Sequence, residues 1–300
     1  MKILVTGANG FIGSAIINSL SNNNNIHIIA ALRKNSNIIV NKSNVSIILI
    51  EDINKHTNWY KALEGVTTVI HTAGVAHKSS KLVKNEIYRE VNYYGTLNLA
   101  EQAISSGVKR FIFLSSIKVN GEVTEFNVPF NAEDTPLPID YYGISKLEAE
   151  KALFVLSKIT NLEIVIIRPP LVYGNGSKGN ISVIEKCVAL GLPLPFASIS
   201  NKRSVVSINN LINLIQICLY NSNAINQIFL VSDNQDLNIS DLIRLVVKKN
   251  IRKPIIFPFP VKYLKFLFSL FGKSKIYNKI CCNLQVDIEK TKKLLSWNPE

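Results

Sequence analysis

A tyrosine and a lysine four positions apart, Tyr142 and Lys146, stand in the stretch Asp140-Tyr141-Tyr142-Gly143-Ile144-Ser145-Lys146. On a helix that spacing stacks the two side chains on one face, about one turn apart. The pairing has a chemical use. A phenol near pKa 10 is a poor proton carrier at neutral pH, and an ammonium held close favours the phenolate and lowers that value. Tyr142 then works as acid or base. Ser116 follows the apolar run Phe111 to Leu114, where its hydroxyl is placed to share a substrate oxygen with Tyr142. Ser116, Tyr142 and Lys146 are therefore the expected catalytic set of an oxidoreductase. Lys118 follows Ser116 by two positions, and alternation at a strand end puts both on one side. Its ammonium is expected at the substrate.

A second constellation opens the chain. Lys2 to Thr6 is a short apolar run, then comes Gly7-Ala8-Asn9-Gly10-Phe11-Ile12-Gly13, and Phe11 to Leu20 has helical spacing. This reads as strand, tight turn and helix. In a dinucleotide-binding turn the first glycine permits the bend, the second lets a pyrophosphate approach the backbone, and the third packs helix on strand. Phe11 and Ile12 open a helix whose free N–H groups suit phosphates. An NAD enzyme often carries an acidic residue about 20 positions after the last glycine, to hold ribose hydroxyls. Arg33 stands there, followed by Lys34. A basic residue suits a 2′-phosphate, which tilts the cofactor toward NADP(H), with NAD(H) the alternative.

The elements that position these residues alternate. Ile26 to Leu32, Val45 to Ile50, Thr68 to Thr72, Phe111 to Leu114 and Ile164 to Ile167 read as further strands, with a long helix over Lys84 to Ser106. Val45 to Ile50 is apolar throughout, as for a strand covered on both faces. The cadence predicts an α/β fold, a doubly wound parallel sheet of Rossmann type, with ligands at the carboxyl ends of its strands. The glycine turn, Ala73-Gly74, Ser116 and Pro169 all fall on that edge. Residues 1–170 form the expected dinucleotide-binding domain, and 205–231 are expected to return to it. Residues 171–204 and 232–300 are assigned to a smaller, mostly helical substrate lobe, with three helical stretches from Ile239 onward.

Composition excludes several classes. A 300-residue chain that is 47% apolar is ample for a core without disulfides. No apolar run is long enough to span a membrane, and Met1-Lys2 leads directly into the first strand, so a cytoplasmic enzyme is expected. The four cysteines, Cys187, Cys218, Cys281 and Cys282, lack metal-ligand spacing and are read as reduced core thiols. No metal is expected. The net charge of +13 is spread along the chain, densest from Lys248 to Lys275. That region reads as a solvated face that also attracts phosphate-bearing ligands, with a membrane-surface helix at Val261 to Phe271 as the alternative. An RNA-binding module would need an aromatic stacking platform or an arginine stripe. Neither is present in the sequence, and no nucleic-acid partner is expected.

Together these residues resemble the extended short-chain dehydrogenase/reductase family of nucleotide-sugar epimerases, dehydratases and reductases. The likeness spans the chain and rests on the glycine pattern, the Ser116, Tyr142 and Lys146 set, Asp52-Ile53, Asn92, and Arg168-Pro169 through Tyr173-Gly174. It implies that Asp52 and Ile53 meet the adenine and that Lys146 bonds the nicotinamide ribose while tuning Tyr142. It implies further cofactor contacts at Ala73, Gly74, Asn92 and Pro169. Lys118, Tyr142, Asn180 and Arg203 become the expected contacts of a UDP-sugar substrate, with Arg203 on the diphosphate. The dehydratase branch needs an acid and a base just after the catalytic hydroxyl, and Ile117 and Lys118 supply no carboxylate. Two enzyme branches remain. The segments Phe113 to Glu122, Gly191 to Pro195, Phe229 to Asp233 and Leu284 to Ile288 resemble the 4-keto-reductase branch. That branch converts UDP-4-keto-6-deoxy-N-acetylglucosamine with NAD(P)H to UDP-N-acetyl-quinovosamine, or to its C4 epimer UDP-N-acetyl-fucosamine, for surface polysaccharides. A UDP-hexose 4-epimerase is the alternative, and a homodimer is left open. A dinucleotide-sensing regulator is the non-enzyme alternative, against which the intact Ser, Tyr and Lys set argues.

Overall fold

Seven short apolar runs line up in the computed structural model as one parallel sheet. It describes residues 1–33, 42–76, 85–177, 180–247 and 253–300, apart from the side chains of Asn180, Ser182 and Lys275. β1 (Lys2–Thr6) leads into α1 (Phe11–Leu20), and β2 (His27–Arg33) into β3 (Val45–Ile50). The single turn α2 (Tyr60–Leu63) precedes β4 (Thr68–His71). A helical stretch follows, made of α3 (Glu86–Tyr88), a π-helical segment Arg89–Tyr94 and α4 (Gly95–Ser105). Next come β5 (Arg110–Leu114), a 3-10 turn Ile117–Val119, α5 (Tyr141–Ile159) and β6 (Glu163–Arg168). β7 (Leu171–Tyr173), α6 (Asn180–Ala189), β8 (Arg203–Ser207), α7 (Ile208–Tyr220) and β9 (Gln227–Leu230) continue the chain. It closes with β10 (Asp236–Leu237), α8 (Ile239–Val246), α9 (Val261–Leu270), α10 (Ser274–Cys281) and α11 (Glu289–Leu295).

The strand order is β3-β2-β1-β4-β5-β6-β9, the doubly wound Rossmann arrangement that the alternating cadence predicts. Alternation along each strand serves two layers. Ile3 and Val5 pack with Ile16, Leu211 and Leu214 on one face, while Leu4 packs with Trp59, Leu99 and Ala149 on the other. Each isoleucine, leucine or valine among them contributes about 1.5–3 kcal/mol when fully buried. The order reverses between β1 and β4, so their connections leave in opposite directions and open a crevice at the carboxyl edge. The lobe has its own small core of Ile181, Val188, Leu242, Ile243 and Leu264.

Several expectations are corrected. β8, expected to rejoin the large sheet, pairs with β7 in parallel and with β10 antiparallel. The place beside β6 is taken by β9, and Pro169-Pro170 turns the chain out of the sheet so that β7 can meet β8. From Ile239 there are four helices among the described residues. The last of them, α11, leaves the lobe: Thr291 donates to the Leu230 carbonyl at 2.6 Å, and Leu295 and Trp297 join the core beneath the sheet. β3 is an edge strand with Ile47 and Leu49 exposed, so its apolar run does not report two covered faces. Of the cysteines only Cys218 is fully buried.

Candidate active site

The first turn of α5 fixes the reacting groups. Asp140 caps it, its Oδ1 accepting from the Gly143 N–H at 2.8 Å, so the helix starts at Tyr141 and Tyr142, Lys146 and Glu150 fall on one stripe. A Cβ at position 143 would lie 2.8 Å from the Lys118 carbonyl oxygen. Glycine there lets the helix rest directly on the 3-10 turn after β5. That contact brings the Tyr142 phenol up to the Ser116 hydroxyl. Ser116 is held from behind, because the Ser115 N–H donates to Ile167 O at 2.8 Å and the Ile117 N–H to Pro169 O at 3.0 Å.

Below this edge lies a buried polar network. Arg168 donates to both oxygens of Glu150, at 3.0 Å from Nε and 2.5 Å from Nη2, and each side chain is 2% exposed. Ser115 Oγ donates to the same carboxylate, and the second fork of Arg168 reaches Asn120 Oδ1 at 2.9 Å. This network ties α5 to β6 and to the residue before Ser116. Sequence reading overlooked Glu150. The available signal was a charge recurring four positions after Lys146 on the buried stripe.

The electrostatics differ from the expected tuning. Burial pushes the Tyr142 phenol up to about 12, the Ser116 hydrogen bond works against that, and Asp140 adds to it. Lys146 does not lower it, because its ammonium points elsewhere: Nζ donates to Leu114 O at 2.9 Å and sits 4.3 Å from the Phe113 ring centroid. Burial lowers Lys146 to about 7, opposed by the charge of Glu150. His71, also overlooked, lies at the end of β4, its ring nitrogens 2.6 Å from Thr6 Oγ1 and 2.9 Å from Thr96 Oγ1. Burial first, and then Lys146, lowers it to about 3, so it is neutral.

Lys118 is positioned otherwise than strand alternation would have it. Ser116 caps the 3-10 turn and accepts from the Lys118 N–H at 3.3 Å, so strand alternation has already ended. Lys118 Nζ lies 5.9 Å from the Tyr142 ring centroid and donates to Glu122 Oε1 at 2.9 Å and to Asp140 Oδ2. Burial works to lower its pKa, and these two carboxylates overcome that and raise it. Arg203 is half-buried on β8 with Nη1 donating to Cys282 O at 2.8 Å; burial lowers its pKa while Glu122 is among the charges opposing this. Glu122 thus faces both cations. Asn180 opens α6, and its side chain lies outside the described residues.

A dinucleotide fits the glycine turn on the evidence of the cradle itself. Gly7 has φ +69°, and its Cβ would lie 2.9 Å from the Ala73 nitrogen, so turn and Ala73-Gly74 meet with no room for a side chain. A Cβ on Gly13 would stand 2.2 Å from Gly7 O. α1 has no side-chain cap at Gly10, leaving the N–H groups of Phe11 and Ile12 for an anion. Ile53 is buried against Gly95, where a Cβ would be 2.6 Å away, while Asp52 is exposed and lies 3.6 Å from Arg33. Asn92 is fully buried in the π segment, its amide joined to the Val75 backbone at 2.8 and 3.0 Å and to Ser145 Oγ at 3.0 Å. It therefore braces the Gly74 loop against α5, beside Lys146.

Sheet order and glycine cradle define a Rossmann-type dinucleotide-binding fold, and Ser116 and Tyr142 stand together at its carboxyl edge. Comparison with known proteins narrows this. Residues 3–232 match the NAD dependent epimerase/dehydratase family, and the chain belongs to that family. A UDP-glucose 4-epimerase of Vibrio cholerae is 45% identical over 99% of this chain and 90% of its own length. An N-acetyl-alpha-D-glucosaminyl-diphospho-ditrans,octacis-undecaprenol 4-epimerase of Escherichia coli O157:H7 is 27% identical, over 96% of this chain and 88% of its own. The structure of UDP-glucuronic acid 4-epimerase from Bacillus cereus in complex with NAD superimposes with a TM-score of 0.77 at 23% identity, covering 100% of this chain and 94% of the other. That likeness shows a shared fold. No helix among the described residues is long and apolar enough to cross a membrane.

Proposed function

We propose that this chain is an NAD-dependent nucleotide-sugar 4-epimerase acting on a UDP-hexose or its N-acetyl form. The observation that carries this reading is the 45% identity to a UDP-glucose 4-epimerase over 99% of the chain. The grouping of Ser116, Tyr142 and Lys146 supports it. NAD, when bound, supplies a reversible hydride acceptor for the sugar C4. Tyr142, as the phenolate, takes the proton of the C4 hydroxyl while Ser116 shares that oxygen, and the phenol so formed returns a proton after the ring has turned. Lys146 holds the nicotinamide ribose, Asp52 and Ile53 meet the adenine, and the glycine turn holds the pyrophosphate. Arg203 takes the sugar's diphosphate, with Lys118 and Asn180 at the sugar.

A 4-keto reductase is the second reading, favoured by the local segments such as Phe113 to Glu122 that resemble that branch. The two make different demands. An epimerase regenerates its cofactor in each cycle, whereas a reductase consumes one hydride and releases oxidised nucleotide, for which NADPH and Arg33 would be suited. The test is to incubate purified protein, without added cofactor, with UDP-glucose, UDP-galactose and their N-acetyl forms. Interconversion is expected. Failure there, with stoichiometric NAD(P)H oxidation by UDP-4-keto-6-deoxy-N-acetylglucosamine, would overturn the epimerase in favour of the reductase.

A further inference from the structure

The lobe helix α9 has two apolar faces, and only one has a partner among the described residues. Val261, Leu264 and Phe268 point into the lobe core. Tyr263, Phe266, Leu267 and Leu270, spaced i, i+3, i+4 and i+7, form a second stripe that faces solvent, with Phe266 64% and Leu270 66% exposed. Phe271 continues it at the helix end, 69% exposed. On the remaining flank stand Lys262 and Lys265, both exposed, at the helical angle between the two apolar faces. A helix that only needed to cover the lobe core would carry polar residues on its outer stripe.

The charge of the surrounding sequence says what suits that stripe. Between Asp241 and Asp287 the chain has ten lysines and arginines and no aspartate or glutamate, which is most of its net charge of +13. A second copy of this chain would bring the same positive charge against it and would have to bury lysines without counter-ions. Nucleic acid would use the charge but has no place for exposed Leu267 and Leu270. A bilayer with anionic headgroups uses both, since aromatic and aliphatic side chains enter the headgroup boundary while lysines flank them at the phosphates.

We propose that α9 is a membrane-surface docking helix that seats the lobe on an anionic lipid bilayer. It lies in the interface and does not span it. The proposal is independent of which sugar the site accepts, because no residue of the stripe belongs to the catalytic or nucleotide-binding set.

The test is co-sedimentation of the full-length chain with vesicles of phosphatidylglycerol and phosphatidylethanolamine, against vesicles of phosphatidylcholine alone. Binding to the anionic vesicles is expected, falling steeply as salt is raised. Phe266→Ser with Leu270→Ser, and separately Lys262→Glu with Lys265→Glu, should each weaken it by about tenfold or more. Circular dichroism should show both variants folded, since all four positions are exposed. A second readout is Phe266→Trp. The native Trp59 and Trp297 are 0% and 1% exposed, so a blue shift of emission on adding anionic vesicles would come from position 266. Equal or absent binding to the two vesicle types overturns the proposal, as does indifference to the substitutions. Dimerisation in solution that Phe266→Ser abolishes would assign the stripe to a second copy instead.

Discussion

Two lysines stand along the edge that carries Tyr142, and their surroundings treat them in opposite ways. Lys146 is buried at the sheet edge with a carbonyl and an aromatic ring for company, and burial brings its pKa down to about 7. Among the described residues it has no carboxylate in contact. Lys118, on the loop side, is held by Glu122 and Asp140 together, and they raise its pKa despite burial. The sheet-edge lysine is thus set by burial and one carbonyl, while the loop lysine is held by two carboxylates, one of which, Glu122, also faces Arg203. A group that binds beside Lys146 and offers hydroxyl oxygens, as a ribose does, strengthens the lysine's charge and completes its hydrogen bonds. A sugar approaching Lys118 meets a cation already engaged. On the proposed function the first region is one that a ligand completes, while in the second the cation is already engaged within the protein.

The largest expected effect breaks the element the two regions share. Tyr142→Phe removes the proton carrier and should lower turnover by about 10²–10⁴ while leaving nucleotide binding close to wild type. Steady-state rates with isothermal titration of NAD check both halves, and a variant within threefold of wild type in rate would remove Tyr142 from the chemistry. Next comes the support beneath the sheet edge. Glu150→Gln leaves the Arg168 guanidinium buried and uncompensated, which should cost about 3–5 kcal/mol of stability in urea unfolding. A loss under 1 kcal/mol would mean that Ser115 and Asn120 alone hold that edge together.

The third prediction concerns the uncompleted lysine and has a definite sign. In the folded chain Lys146 has a pKa of about 7, against 10.5 when free. Between these values the unfolded chain binds a proton that the folded chain does not, so stability rises with pH, by up to about 1.4 kcal/mol per unit. The clean window is about pH 7 to 9. Below it His71, lowered to about 3, contributes a similar rise as pH climbs to its ordinary 6.5. Above it Cys218 and Cys281, both pushed up to about 12 from 9.0, together reverse the slope, because the unfolded thiols lose their protons first. Denaturant midpoints across this window should climb in wild type and flatten in Lys146→Met. Parallel curves would show that the ammonium is solvated in the folded chain.

The two regions were unequally legible in the sequence. Strand cadence and glycine spacing are local periodicities, so the doubly wound parallel sheet and the tight turn at Gly7, Gly10 and Gly13 could be read directly. The Tyr142 to Lys146 interval is local too, and it placed both residues on one face of α5. The direction of the Lys146 side chain is not local. It follows from the carbonyl of Leu114 on another element and from the bracing of Gly74 by Asn92, so the expected depression of the phenol's pKa does not appear in this geometry. The same holds for Lys118, whose partners stand four and twenty-two positions away and are joined only by the turn after β5. β8 and α11 went to the wrong neighbours for a related reason, since strand propensity marks an element and leaves its partner undetermined.

The smallest expected effect sharpens the comparison at its outer rim, where a third cation meets a carboxylate. Arg33 stands where its basic side chain suggested a 2′-phosphate, yet Asp52 lies 3.6 Å from it, and the two side chains are 65% and 83% exposed. An exposed pair of this kind contributes about 0–1 kcal/mol. A 2′-phosphate would place roughly two negative charges beside Asp52 as well as Arg33, so the attraction of the one is offset by the repulsion of the other. Arg33→Ala should therefore change NAD affinity by less than about fivefold, the equivalent of 1 kcal/mol. Asp52→Asn should improve NADP binding relative to NAD, because it removes the repulsion and leaves the guanidinium free. Fluorescence titration of both nucleotides into the stripped protein reads the two ratios directly. A tenfold loss of NAD affinity in Arg33→Ala would instead show that this guanidinium touches the nucleotide itself, and the rim would then belong with Lys146 among the groups that a ligand completes.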